Sequence, residues 1–229
     1  MNVLAVAKLN FKKVKLSYVI FIAAIVLQII SYVINDLLGT TNKGQFYLSF
    51  SFYSYIIILM SAVLIPAKNF RKIMNLNVKK LDYMRGILIN YIGFALVISL
   101  FTALCYLCLD KLLPVGNNGF VANPFGVFGW DKNGVSIAFI RQFVFMLMVA
   151  LIVHTLTTIQ GTWYGWLTDI IIVAIICVFT PIAALRKVLS LIFETLIFTP
   201  NAVIQIISCI VVSVIVYVLC VLVVSRKKI

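Results

Sequence analysis

The sequence predicts an all-α, polytopic membrane protein with six transmembrane helices, and three observations predict it. Of 229 residues, 64% are hydrophobic and 11% are charged, against about 45–50% and about 25% in soluble domains; mean hydropathy is +1.16. Apolar residues gather in runs of roughly 17–23, the length that carries a helix across a ~30 Å hydrocarbon layer. Basic residues sit at the ends of those runs. A formal charge of +13 would suit nucleic acid, but lysines and arginines at the ends of apolar runs are what cytoplasmic loops carry. Nucleic acid is therefore not an expected partner, and residues 1–229 read as one transmembrane domain.

The elements follow in chain order. Residues 1–17, MNVLAVAKLNFKKVKLS, set Leu4, Ala7, Phe11 and Leu16 against Lys8, Lys12 and Lys15. That pattern suits an amphipathic interfacial helix with its lysines on lipid phosphates; a plain positive flank that fixes topology is the other reading. Tyr18 to Ile34 forms the first span, with Gln28 inside it, and Asn35 to Gln45 a polar loop. Phe46 to Ile65 is the second span, opened by an aromatic belt of Tyr47, Phe50, Phe52, Tyr53 and Tyr55. Pro66 is expected to end that helix.

Residues 66–86, PAKNFRKIMNLNVKKLDYMRG, are the best-marked aqueous surface in the chain. Lys68, Arg71, Lys72, Lys79, Lys80 and Arg85 stand against a single acid, Asp82. Phe70, Ile73, Met74, Leu81 and Met84 recur among them at roughly helical spacing. The third span is Ile87 to Leu109. The loop 110–136 is too rich in Gly, Asn and Pro to be one helix. Its Phe120, Phe125, Phe128 and Trp130 are expected to fold it back onto the membrane surface.

Ile137 to Ile159 is the fourth span, with Arg141 and His154 near its two ends. Gln160 to Thr168 reads as a turn, although Gly161 and Gly165 have the spacing of a helix-dimer face. Ile170 to Leu185 is the fifth span. Residues 186–201 form a second loop with Glu194 at its middle. Their stripe of Leu189, Ile192, Phe193, Leu196 and Ile197 suits a short re-entrant or interfacial helix. Ala202 to Val224 is the sixth span, closed by Arg226, Lys227 and Lys228. An even number of spans puts both termini on one side. Assigning that side and residues 66–86 to the cytoplasm leaves only six of the 19 basic residues outside, as the positive-inside rule requires. Loops 110–136 and 186–201 are then extracellular.

Titratable chemistry is sparse. There is one histidine, and the six acids are scattered among loops, so no metal pair, nucleophile triad or phosphate-binding glycine loop is formed. Cys105 and Cys108 have redox spacing without a second pair or a nearby histidine, and read as small apolar helix residues. No cofactor or metal is expected, and the chain is not expected to be an enzyme. Ionisable residues inside spans are functional candidates by default, which singles out Arg141 and His154, with Glu194 as a third. The first two lie near span ends, where snorkelling or interfacial hydrogen bonding is the plain alternative. About 13 residues apart on one helix, they are about 20 Å apart and cannot cooperate within one chain.

The order of features resembles the permease subunits of type-two ATP-binding-cassette exporters. The closest local likeness is NLNVKKLDYMRG, residues 75–86. The family enters its third span through Leu-Pro-hydrophobic-Ser-Arg and then Gly-Lys. Leu76, Val78, Lys80, Tyr83 and Gly86 fit that pattern, while Asn77 stands for the proline, Lys79 for the serine and Ile87 for the lysine. An upstream acid usual in the family is missing, with Lys68 in that region. Thr199-Pro200-Asn201 is similar to the Asn-Pro that precedes the family's last span.

The resemblance implies a coupling helix at 66–86 that docks on a separate ATPase subunit, which would bind the ATP. Phe70, Arg71, Ile73, Met74, Lys79, Lys80, Asp82 and Tyr83 are the residues expected to make that coupling contact, as an amphipathic helix does in a groove. It also implies a dimer, of identical or similar permeases, in contact with membrane lipids in a bacterial cell membrane. Exporters of peptide toxins and antimicrobial peptides, including phenol-soluble modulins, are similar in size and apolarity, which implies an amphipathic cargo. Two other classes stay open: a lipid-modifying enzyme or assembly factor, which needs His154 or Glu194, and an ion-coupled carrier, against which the absence of a midplane acid counts.

Overall fold

The computed structural model describes residues 3–37, 46–111, 120–160 and 162–227. The chain is nearly all helical. In order it forms α1 (Val3–Lys13), α2 (Lys15–Leu37), the short strand β1 (Phe46–Leu48), α3 (Ser51–Leu64) and, beyond a π-helical turn at Ile65–Asn69, α4 (Phe70–Met74). Then come α5 (Lys80–Leu107), β2 (Phe120–Ala122), α6 (Pro124–Val127), α7 (Val135–Ile159), α8 (Trp163–Phe179), α9 (Ala183–Phe193) with a π-helical turn at Glu194–Phe198, and α10 (Ala202–Arg226). Four helices are long and apolar enough to cross a membrane: Ser51–Met74, Lys80–Leu107, Val135–Ile159 and Ala202–Arg226. The bent pairs Val3–Lys12 with Lys15–Ser31 and Trp163–Phe179 with Ala183–Phe198 raise the number to as many as six.

α5 and α7 form the centre. Tyr91 meets His154 and Thr102 meets Gln142, so the two run antiparallel. Arg141 meets Gln205 near the helix starts and Thr158 meets Lys227 near the ends, so α7 and α10 run parallel. The core between α3, α5 and α7 is built on Ile58, Ile65, Tyr83, Met84, Ile87, Tyr91, Ile98 and Met146, all buried. In lipid such helices are held by close packing and by interhelical hydrogen bonds. Gln142 Nε2 to Thr102 Oγ1 at 2.8 Å is one such bond.

Five expectations need correction. Pro66 does not end the second helix; Ser51–Met74 is continuous, because the π-helical turn around Pro66 absorbs the hydrogen bond a proline cannot make. That helix starts at Ser51, not Phe46, since residues 46–48 are drawn into β1, which pairs in parallel with β2. The two three-residue strands are the one departure from an all-α fold among the described residues, and they tie together the segments before α3 and after α5. Asn123 locks the same junction. Its Nδ2 donates to Asp110 Oδ2 at 2.6 Å and its Oδ1 caps α6 by accepting from Phe125 N.

The third correction concerns the amino-terminal helix. Of the apolar residues expected to share one face, only Ala7 is buried, and it packs into the bundle with Val6 and Asn10; Leu4, Phe11 and Leu16 are exposed, although Phe11 stacks on Phe94 with centroids 5.5 Å apart. Gly86 permits this approach. A Cβ there would lie 2.8 Å from Val6 Cγ1 and 3.2 Å from the Val3 carbonyl oxygen. Gly86→Val is expected to lift α1 from α5, costing about 1–3 kcal/mol as overpacking does. A thermal scan in detergent would show the loss, and faster deuterium exchange confined to residues 3–13 would place it.

Fourth, residues 120–136 of the loop 110–136 pack on the bundle. Phe125 and Trp130 are buried against Ala103, Tyr106, Ala138 and Phe145, and Trp130 Nε1 donates to the Ile197 carbonyl at 2.8 Å. Fifth, the helix in the region of Ile170–Leu185 begins earlier and ends earlier than expected. α8 opens at Trp163, carries Asp169 inside it, and stops at Phe179. Thr180-Pro181 breaks the helix, and the following segment turns by 117°.

Candidate functional site

The segment 66–86 resolves into an elbow between two long helices. α4 carries the second helix to Met74. Leu76 N donates to the Ile73 carbonyl and Asn77 N to the Met74 carbonyl, and Asn77 takes φ +55°, a left-handed conformation that asparagine tolerates. Lys79 is extended, and α5 begins at Lys80.

The elbow has a buried base and an exposed rim. Phe70, Ile73, Met74, Val78, Tyr83 and Met84 point into the bundle, and the Phe70 and Tyr83 rings meet edge to face at 5.3 Å. Of the residues expected to touch an ATPase, Phe70, Ile73, Met74 and Tyr83 are thus used in the chain's own core. Their periodicity is that of a helix facing its own bundle. Arg71 and Lys79 are exposed, and Lys80 and Asp82 are half-buried. The exposed apolar residues are Leu76 and Leu81, flanked by Arg71, Lys72, Lys79 and Arg85. The register signals this: Tyr83, Ile87 and Tyr91 recur every four residues as the buried stripe, which turns Leu81 and Arg85 outward.

Beneath the rim two lysines turn inward. Lys80 Nζ donates to the carbonyls of Ser225 and Lys227, each at 2.9 Å. Lys227 Nζ donates to the Thr158 carbonyl at 2.9 Å and lies 5.4 Å from the Phe70 ring centroid. Burial, helped by the nearby Arg71 charge, lowers the Lys227 pKa below the ordinary lysine value.

Arg141 does not snorkel. Its side chain is 1% exposed. Nε donates to Gln205 Oε1, one terminal nitrogen to Asn133 Oδ1 at 2.9 Å and the other to the Thr199 carbonyl at 2.5 Å. The guanidinium lies 5.9 Å from the Trp130 ring centroid. No carboxylate pairs with it among the described residues. It joins α7, α10, the Trp130 loop and the segment entering α10, at the end of the bundle opposite the elbow.

His154 is also buried. Its Nδ1 is 2.7 Å from Tyr91 Oη, while Nε2 has no protein partner. Tyr83 Oη, Asn90 Nδ2, Ser99 Oγ and Gln142 Oε1 are likewise buried without a partner among the described residues. These atoms lie on α5 and α7, so both helices carry buried hydrogen-bonding capacity to spare. Asn90 and Gln142 were legible as polar letters inside apolar runs, but were not singled out. Arg141 and His154 remain at opposite ends of α7, as expected. Glu194 is exposed at the start of its π-helical turn.

The remaining motifs recede. Cys105 is buried, Cys108 is exposed and both are free. No group of three metal-ligating side chains occurs among the described residues. Gly161 lies outside the described residues. Gly165 is used at the α7–α8 turn, where a Cβ would come within 2.8 Å of the Ile159 carbonyl oxygen, which leaves it no role in a dimer face. Compared with family models, curated proteins and solved structures, the chain matches none.

Proposed function

We propose that this chain is the membrane-spanning permease subunit of an ATP-driven exporter, moved by a separate ATP-binding-cassette ATPase that docks on the elbow. The observation that carries the proposal is the elbow itself: an exposed patch of Leu76, Leu81, Arg71, Lys72, Lys79 and Arg85 on a base of buried side chains. A lever needs such a part, with a surface that a partner can grip and a root that cannot slip.

Six spans are the reading that connectivity supports. α7 and α10 run parallel, so the chain must recross an odd number of times between them, and α8 supplies one crossing. At 17 residues it is about 26 Å long, short but sufficient. α9 then lies at the end away from the elbow, as a surface or re-entrant helix. With the elbow and both termini cytoplasmic, the basic residues fall as the positive-inside rule requires.

α10 has a largely apolar exposed surface, with Ile207, Val211, Val214, Val218 and Leu222 all uncovered. Two copies would enclose a shared route between them, and an amphipathic or hydrophobic peptide is the cargo that such an apolar wall best suits. ATP binding and hydrolysis belong to the partner. The test is co-expression with an ATP-binding-cassette ATPase sought among the neighbouring genes. Leu76→Asp combined with Lys79→Glu should cut recovery of the ATPase in a detergent pull-down by roughly tenfold, the equivalent of about 1.4 kcal/mol. Unchanged recovery would count against docking at the elbow.

A further inference from the structure

We propose that Lys80 and Lys227 form a clasp that makes the elbow, α7 and α10 move as one body. Lys80 is the first residue of α5, directly after the exposed turn. It ties that turn to α10 through the Ser225 and Lys227 carbonyls. Lys227, just past the end of α10, reaches on to the Thr158 carbonyl in the last turn of α7 and covers the Phe70 ring of α4. The result is a closed ring, in which α4 and α5 are joined by the turn, α5 is joined to α10 by Lys80, and α10 is joined to α7 and α4 by Lys227.

The chemistry of the ring suits a mechanical part. The last carbonyls of α7 and α10 have no partner within their helices, and a cation at a helix C-terminus is favoured by the dipole. A lysine at the end of a membrane helix ordinarily extends its stem toward the headgroups. These two turn into the protein instead, and no carboxylate among the described residues draws them there. The carbonyl oxygens alone select the geometry. One lysine capping one helix would add stability and nothing more, whereas two in series connect three helices that the chain does not join nearby.

The direction of force, from elbow to helices, rests on the exporter reading; the clasp does not, and its test needs no ATPase. The measurement is deuterium exchange of the purified full chain in nanodiscs. Lys80→Ala is expected to speed exchange about tenfold at residues 222–226, and also at residues 155–159, which Lys80 does not touch. Lys80→Arg should restore both, and Lys227→Ala should loosen 155–159 directly. Residues 90–100 should be unchanged throughout.

If Lys80→Ala perturbs only 222–226, Lys80 is an isolated cap and the proposal is overturned. A rise that includes residues 90–100 overturns it too, in favour of a general stability role. Loss of ATPase recovery without these exchange changes, or the reverse, separates docking from clasping.

Discussion

Arg141→Leu is expected to lower the melting temperature of the purified chain by about 10 °C, from a loss of about 3–5 kcal/mol. The substitution leaves Gln205 Oε1, Asn133 Oδ1 and the Thr199 carbonyl without the donor that joins them. A buried acceptor left unmet costs about 1–3 kcal/mol. Lysine should not rescue the loss, because one ammonium cannot spread donors in the three directions that a planar guanidinium does. Gln205→Leu in the Arg141→Leu background should recover part of it, since removing both sides of a buried polar contact costs less than removing one. A differential scan of wild type, Arg141→Leu, Arg141→Lys, Gln205→Leu and the double variant checks the whole set. Additive losses in the double variant would mean that Arg141 and Gln205 are independent, and would break this account of the junction.

The same junction shows where reading by letters stopped. Arg141 stands six residues into its helix, a position from which snorkelling is the ordinary outcome. What reverses it is the loop before the helix and the segment before α10 arriving together, which no single stretch announces. Span existence was legible because 20 apolar residues have few alternatives in lipid. Span ends were not. Pro66 and Pro181 are the same residue after an apolar run, yet one sits in a π-helical turn and the helix passes through, while the other lies at a 117° bend. The difference lies in what packs around each: Ile65 and Pro66 are buried against the bundle, whereas residues 180–184 are uncovered on α8 and α9.

In the elbow, composition and charge marked a segment whose faces the bundle sorts into buried and exposed. An amphipathic stripe says that one side is covered and says nothing of what covers it. Phe70, Ile73 and Met74 were given to a partner, and the bundle takes them. Gly86 was noticed as a motif letter, while its physical use, the close approach of α1, depends on a helix more than 70 residues earlier in the chain.

Ile73→Asp and Leu76→Asp turn that distinction into a measurement. Ile73 is 0% exposed and Leu76 is 55% exposed, though they are three residues apart in one basic segment. Ile73→Asp places an unpaired carboxylate in the core between α3, α5 and α7. Its desolvation costs several kcal/mol, enough against a typical total stability of about 5–15 kcal/mol to abolish the monodisperse peak in size-exclusion chromatography. Leu76→Asp removes an exposed side chain and should leave both the peak and the melting temperature unchanged, within about 0.5 kcal/mol, while weakening ATPase recovery. The opposite pattern, a stable Ile73→Asp protein that has merely lost its partner, would mean that the inner face of α4 is a docking face and that the elbow opens before it is gripped. The expected pattern instead makes the partner's grip depend on the turn alone. Force would then enter at Leu76 and Lys79 and pass through a base whose packing does not change as the partner binds.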